Sequence, residues 1–576
     1  MKQPDSQTRT RATALRVAVG CGLLLIAFAL FYRLGSPVLF EDPNDGQYAE
    51  VAREMIESGD WISPQLNYVL FLNKPPLTYW LVASAYAGFG VNEFAARLPG
   101  VVVTLLTLLL IYRLGRELFD PLSGLLAVCV YAGMPSTLVE ARMIRPDTIL
   151  TATTLGALLA FAVALRSTGA NQRRALYGLQ LALAAGLLDK GILALLLPAF
   201  PIAVIIAVER RWDLVRVLAA PRSWVLFAML VIPWHLAASL RHTGFAWDYI
   251  VNQHLLFFFN RKLPRDSIPV PLTVFWGAFL ARSFPWVLFL PLAVVSAWYK
   301  RRSPETGLPG GILLLAWAGG VLGFFSFASS RLEHYSLPAL PAVSLMVAHL
   351  LGRAAEASLT WHRLILAHLV ILVLVLATGV WGVPRLLESV EWLAQCHDLT
   401  FIARAFFATL STTAVVALIA MRRQPLAIAP LFTAITLLMM PLVHRGLVAI
   451  APVNSSAPTA DLLRDAIGEA PAEIVFEAPT EYQHVAGLNF YLRRRIKLLR
   501  PPGFVDPPYL RPYSDGLFID RAELADLWQS TRLFFVSDPL APSTRTIHGI
   551  VPEPYYVLAH ITNRWIVSNR PSLSPP

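Results

Sequence analysis

Apolar residues in this chain come in long runs, and polar ones gather in the short stretches between them. A helix needs roughly 17 to 25 mostly apolar residues to cross a bilayer. Thirteen runs approach or meet that length, near residues 14–34, 95–112, 121–139, 148–165, 175–189, 191–208, 223–240, 273–299, 309–328, 337–352, 364–382, 401–421 and 425–447. The pattern predicts an all-α polytopic membrane protein of about thirteen transmembrane helices, behind a basic cytoplasmic N-terminus of residues 1–13. After about residue 450 the character changes. Short β-like runs fall at Glu473 to Glu477, Leu488 to Leu492, Arg532 to Val536 and Tyr555 to Ile561, with helix-like Ala460 to Ile467 and Arg521 to Gln529 among them. Residues 451–576 therefore read as a small α/β domain outside the membrane, and 14–450 as the membrane domain.

Charge fixes the sidedness. With the N-terminus inside, the inner loops hold Arg113 and Arg116, then Arg166, Arg173 and Arg174, then Arg210, Arg211, Arg216 and Arg222, then Lys300 to Arg302, then Arg353 and Arg363, then Arg422 and Arg423. Every inner loop is basic, as the positive-inside rule requires. The apolar stretch Leu77 to Gly90 is short, and counting it as a span would put all those arginines outside. It reads as an interfacial or re-entrant helix on the outer side. The outer segments are then 36–94, 140–147, 241–272, 329–336 and 383–400, together with the C-terminal domain.

Composition agrees with this reading. The chain is 56% hydrophobic and 15% charged, with a mean hydropathy of +0.55, whereas a soluble globule carries about 25% charged residues. The net charge of +11 lies in loops between spans, where topology explains it, so no nucleic-acid partner is implied. Three cysteines make no disulfide framework and no thiolate metal site. The first run, Ala14 to Phe31, continues into Tyr32-Arg33-Leu34-Gly35 without a small-x-small cleavage site and reads as a retained span.

Candidate chemistry sits in the outer loops. In the first, Asp42, Pro43, Asn44 and Asp45 precede Tyr48, Val51, Ala52 and Met55 at helical spacing, with Gly59 as the stop. Asp42 as N-cap with Pro43 at the first helical position is an ordinary helix start; the functional reading is a carboxylate presented at the membrane surface as a general base. Further on, Asn73-Lys74-Pro75-Pro76 opens the interfacial stretch. Lys74 is either a snorkelling anchor or an ammonium placed to hold a lipid phosphate. Asp147, in Arg145-Pro146-Asp147, starts the fourth span as an N-cap or as a partner for Arg142 or Arg145. Asp189-Lys190 reads as an interfacial ion pair. His254 lies in the long outer loop, and Arg331-Leu332-Glu333-His334-Tyr335 precedes Leu337-Pro338. No HExxH spacing points to a metal; Arg331 and Tyr335 are the better candidates for an anion.

The stretches YAEVAREM, GDW, NKPPLTYW and EFAARLPG, the RPD before the fourth span and the outer RxxxY ahead of LP together resemble the GT-C glycosyltransferases, in the branch of protein O-mannosyltransferases and lipid A aminoarabinose transferases. The resemblance covers about 14–450 and is strongest over 36–150. It implies transfer of a sugar, with inversion, from a polyprenyl-phosphate donor to a lipid, glycan or protein acceptor on the outer face of a bacterial inner membrane. It places Lys74, Arg331 and Tyr335 on the donor phosphate, and Asn44, Tyr48, Asn73 and His254 on the substrate. Asn44 stands where the family has Asp, so the base falls to Asp45, with Asp42 and Asp147 in reserve. Asn73 replaces the usual acid before the lysine, so no metal ligands are assigned, although a divalent cation remains open. The alternative is a polytopic lipid or glycolipid transporter, for which charged residues at mid-span, inverted repeats and broken helices are expected.

Overall fold

The structure, a computed structural model, describes residues 6–36, 44–262, 269–299, 306–354, 359–394, 396, 398–421, 424–477, 482–500, 516–537, 547–561 and 564–571. It is mostly helical, and each of the thirteen apolar runs is helical or a broken helix. Among the described residues seven helices are long and apolar enough to cross a membrane, or nine if two bent pairs each count as one span. Local chemistry accounts for several of the breaks and shortfalls. Glycine and proline at Gly133-Met134-Pro135 split one run into α5 (Pro121–Ala132) and α6 (Pro135–Glu140). Pro285 lies in the break between Leu272–Arg282 and Trp286–Tyr299, whose axes differ by 98°. In α8 (Gly169–Lys190) the first turns carry Gln172, Arg173 and Arg174, too polar for lipid.

Two buried arginines fasten the first helix, α1 (Ser6–Phe31). A helix C-terminus leaves carbonyls without partners, and guanidinium forks fill them here. Arg142 Nη2 donates to the Ala29 and Tyr32 carbonyls at 2.6 and 3.0 Å, and Arg97 Nη1 to those of Leu34 and Ser36 at 2.9 and 2.8 Å. Arg142 is thus engaged with α1 rather than with Asp147.

The first outer loop folds into α2 (Asn44–Ser58), a small hairpin of β1 (Gln65–Leu66) and β2 (Val69–Leu70), and α3 (Leu77–Phe89). Gly59, at φ 69°, stops α2 as its spacing predicts. The Ile144 N–H donates to Asp45 Oδ1 at 2.8 Å, so residues 45 and 144 lie on one side of the membrane. An even number of crossings must separate them. α4 (Glu93–Leu118) and the α5–α6 pair supply two; α3 therefore does not cross.

The C-terminal region carries a six-stranded sheet in the order β5-β4-β3-β6-β8-β7. β3 (Glu473–Glu477), β4 (Lys497–Leu499), β5 (Phe518–Ile519) and β6 (Leu533–Val536) are parallel, while β8 (Arg564–Ser568) and β7 (Tyr556–Ile561) close the edge antiparallel. Leu488 to Leu492, expected as a strand, belongs instead to the helix Ala486–Leu492. A run this short and mostly buried has no period that separates the two states. One apolar core joins this region to the outer loop: Val51, Met55, Leu66 and Tyr79 pack in the same cluster as Leu463, Phe476, Leu488 and Phe490.

Candidate active site

The site forms where the outer ends of several helices meet under α2 and α3. Asp147 is the second residue of α7 (Pro146–Arg166), after Arg145 in the extended N-cap position. It is therefore not the cap that its sequence suggests. It lies inside the first turn, where the helix dipole favours a carboxylate. Lys190 Nζ sits 2.5 Å from Asp147 Oδ1, and His334 Nε2 lies 3.6 Å from Oδ2. The Lys190 ammonium also stands 4.7 Å from the centroid of the Tyr335 ring.

Asp189 and Lys190 do not pair with each other as expected. Neighbours on a helix point about 100° apart, and each finds its own partner: Thr78 Oγ1 donates to Asp189 Oδ1 at 2.6 Å while Lys190 reaches Asp147. Both side chains are buried, so a polar seam runs from α3 through the end of α8 to the start of α7.

Lys74 is half-buried, its ammonium 5.9 Å from the Phe257 ring centroid. Asn73 Oδ1 accepts from Gln253 Nε2 at 3.0 Å. Gln253 belongs to a π-helical segment, Asp248–Leu256, whose wider turn brings His254 Nδ1 within 2.5 Å of the Tyr249 carbonyl. His254 Nε2 accepts from the Ile192 N–H at 3.3 Å, which fits the neutral Nδ1–H tautomer. Burial lowers the His254 pKa from its ordinary value, the Tyr249 carbonyl opposes that shift and the Lys74 charge adds to it. Tyr48 is buried and stacks on Tyr79 with ring centroids 5.6 Å apart. Burial first, then Tyr79, Asp147 and Asp189, pushes its phenol well above the ordinary range, so the Tyr48 hydroxyl stays neutral.

Arg331 is placed differently from expectation. Its nitrogens donate to the carbonyls of Phe325, Ser326 and Val270 at 3.1, 3.2 and 3.4 Å, satisfying the C-terminal turn of the helix Gly310–Phe327. The cation against Tyr335 is Lys190. Asp42 and the side chain of Asn44 lie outside the described residues. Among the described residues no three His, Cys, Asp or Glu side chains gather as metal ligands.

Beside these groups lies a cleft of about 490 Å³, walled by Leu193, Leu196, Ile250, Phe257, Phe258 and Phe324, with Gln253, His254, Ser330 and Tyr335 among its lining. An apolar cavity with a few polar groups is the usual form of a ligand site. Lys190, His334, Thr78 and Gln253 were not among the sequence candidates for substrate or catalysis. The available signal was the rarity of ionisable residues at membrane depth, which applied to Lys190 and was spent on a local pair with Asp189.

Residues 73–236 match the family model described as dolichyl-phosphate-mannose-protein mannosyltransferase. The undecaprenyl phosphate-alpha-4-amino-4-deoxy-L-arabinose arabinosyl transferase of Pseudomonas aeruginosa is 32% identical over 337 residues, 58% of this chain and 59% of that protein. The transferase of the same name from Pectobacterium carotovorum is 30% identical over 341 residues, 58% of this chain and 59% of the relative. The chain thus matches about three-fifths of the length of these curated relatives. The crystal structure of ArnT from Cupriavidus metallidurans bound to undecaprenyl phosphate superposes with a TM-score of 0.80 at 21% identity, covering 98% of this chain and 99% of that one. The fold is therefore that of ArnT, and the resemblance drawn from the sequence holds.

Proposed function

We propose that this chain is an inverting glycosyltransferase that moves a sugar from a polyprenyl-phosphate donor to a hydroxyl or phosphate on a lipid, glycan or protein acceptor. The relatives named above favour 4-amino-4-deoxy-L-arabinose as the sugar. The observation that carries the reading is an apolar cleft whose Phe257 and Tyr335 stand against Lys74 and Lys190, the second of them paired with the buried Asp147. In this reading residues 14–450 are the membrane domain and 451–576 the outer domain, with the working face and the C-terminal domain on the periplasmic side of a bacterial inner membrane.

The chemistry suits these parts. The acceptor oxygen attacks the anomeric carbon, the bond from that carbon to the phosphate oxygen breaks, and polyprenyl phosphate leaves. Negative charge grows on the phosphate as the bond stretches, and Lys74 with Lys190 offsets it where little water competes. Lys190 is oriented by Asp147, and Asp147 by Lys190 and His334, so Asp147 is engaged as a positioning carboxylate. Asp45 is then the first choice to accept the acceptor proton, with Asp42 in reserve. Tyr48, Asn73, His254 and Tyr335 shape the sugar and phosphate subsites.

The test is a reconstituted transfer assay with a labelled polyprenyl-phosphate sugar. Removing Lys74 (Lys74→Ala) should lower turnover by at least about 100-fold, the scale of losing one preorganised electrostatic partner. Asp147→Asn and Asp45→Asn should each lose a comparable factor, and full turnover in both would overturn the mechanism. Wild-type protein that transfers nothing yet moves lipid between leaflets would establish the transporter reading instead.

A further inference from the structure

The hairpin that leads from α2 to Lys74 is gripped at its tip from two sides. Its turn residues Asn67 and Tyr68 have φ of 57° and 62°, the left-handed pair of a type I′ turn. On one side, the Tyr68 N–H donates to Glu54 Oε2 at 2.9 Å, and Arg53 Nη2 donates to the Tyr68 hydroxyl at 3.2 Å. On the other side lies the C-terminal domain. Asn67 Nδ2 donates to the Ile496 carbonyl at 2.8 Å, and Asn67 Oδ1 accepts from the Ile496 N–H at 2.9 Å. The side-chain amide thus pairs with a backbone as a strand residue would. Asn489 Nδ2 donates to the same Oδ1 at 2.8 Å and to the Arg494 carbonyl at 3.0 Å.

Asn67, Asn489 and Ile496 are each 0% exposed. Ile496 directly precedes β4, which pairs in parallel with the central strand β3, so the grip reaches the middle of the outer sheet. On the membrane side, β2 ends at Leu70, four residues before Lys74, and Asn73 is tied to Gln253. A loop this short transmits displacement of the turn to the lysine.

We infer that the C-terminal domain is a positioning element for the donor site, and that Asn67 is the positioning residue through which it holds the Lys74 loop. The inference rests on the reading of Lys74 as the donor-phosphate clamp. It gives the outer domain a mechanical part in catalysis, separate from any contact with the acceptor.

Asn67→Gly is the informative variant, because glycine keeps the positive φ at no steric cost and removes only the amide bonds. In the full-length protein in detergent, amide hydrogen exchange over residues 69–76 should rise tenfold or more. The donor KM should rise by a similar factor, with kcat and the acceptor KM changing far less. Asn489→Ala should repeat the effect in weaker form, and the double variant should fall short of the product of the two, since the groups share one network. Unchanged exchange at 69–76 overturns the grip. Faster exchange with an unchanged donor KM, while Lys74→Ala abolishes transfer, overturns its link to the donor site. If Lys74→Ala transfers normally, the clamp reading fails instead, and with it the assigned role in donor binding, while the exchange data still decide the grip.

Discussion

At the scale of single residues the most consequential choice outside the donor site is Glu54. It sits one helical turn from Glu50, both carboxyls are buried, and Arg53 hydrogen-bonds Glu50 at 2.6 and 2.8 Å, Glu57 and the Tyr68 hydroxyl rather than Glu54. Burial, then the neighbouring Glu50 charge, pushes the Glu54 carboxyl well above its ordinary 4.5. Above that value the folded protein keeps a proton that the unfolded chain has released. Folding then becomes less favourable as pH rises from 4.5 to the elevated folded value. A neutral amide removes this linkage while keeping an acceptor for the Tyr68 N–H. Glu54→Gln should therefore raise the melting temperature at about pH 8 by a few degrees, roughly what 1 kcal/mol gives in a domain of this size. It should also flatten the fall of melting temperature with pH, which a thermal scan across mildly acidic to basic buffers would show. An unchanged slope would mean that Glu54 is ionised in the fold.

At the scale of elements, α8 shows how a turn of backbone places chemistry. Gly191 follows its last residue at φ 71°, and a Cβ there would come within 2.2 Å of His254 Nε2 and 2.9 Å of the Tyr249 hydroxyl. Gly191→Ala thus combines backbone strain with a clash that must move the π-helical segment or the end of α8, and with it Lys190. Gly169, at φ 60° with nothing within 4 Å of its Cβ position, isolates the strain. Gly169→Ala should cost about 1 kcal/mol and leave transfer intact, whereas Gly191→Ala should lose at least about tenfold in turnover through displacement of catalytic groups. Equal effects in the two variants, measured by thermal unfolding and transfer rate, would remove His254 and Lys190 from the account. The contrast also shows what the sequence made legible. The stop of α2 at Gly59, the short helix α3 and the helical character of the membrane runs follow from period and composition, which are local. The pairing of Asp147 with Lys190 spans 43 positions, Thr78 with Asp189 111 and Asn67 with Ile496 429. No local pattern encodes those separations, so the acid at 147 was legible and the lysine that holds it was not.

At the scale of the whole molecule, the contacts themselves constrain sidedness. Asp147 at the start of α7, Lys190 at the end of α8 and His334 ahead of its helix all belong to outer ends in the topology set by the basic loops, and they meet at one site. At the opposite ends, Arg166 Nη1 lies 3.2 Å from Glu117 Oε1, joining the inner termini of α7 and α4. The proposed orientation of this frame rests on charge, since basic loops tend to stay on the cytoplasmic side. With Cys21, Cys129 and Cys396 replaced by serine, a single cysteine at the exposed Ser530 (Ser530→Cys) should react with a membrane-impermeant maleimide in intact cells stripped of their outer barrier. One at the exposed Ala170 (Ala170→Cys), beside Arg173 and Arg174, should react only after the membrane is opened. The reverse pattern would put the site on the cytoplasmic face, where a donor displayed on the outer leaflet never meets it. Labelling of both before permeabilisation would mean that α7 does not carry the chain from the site at Asp147 across the membrane to Ala170.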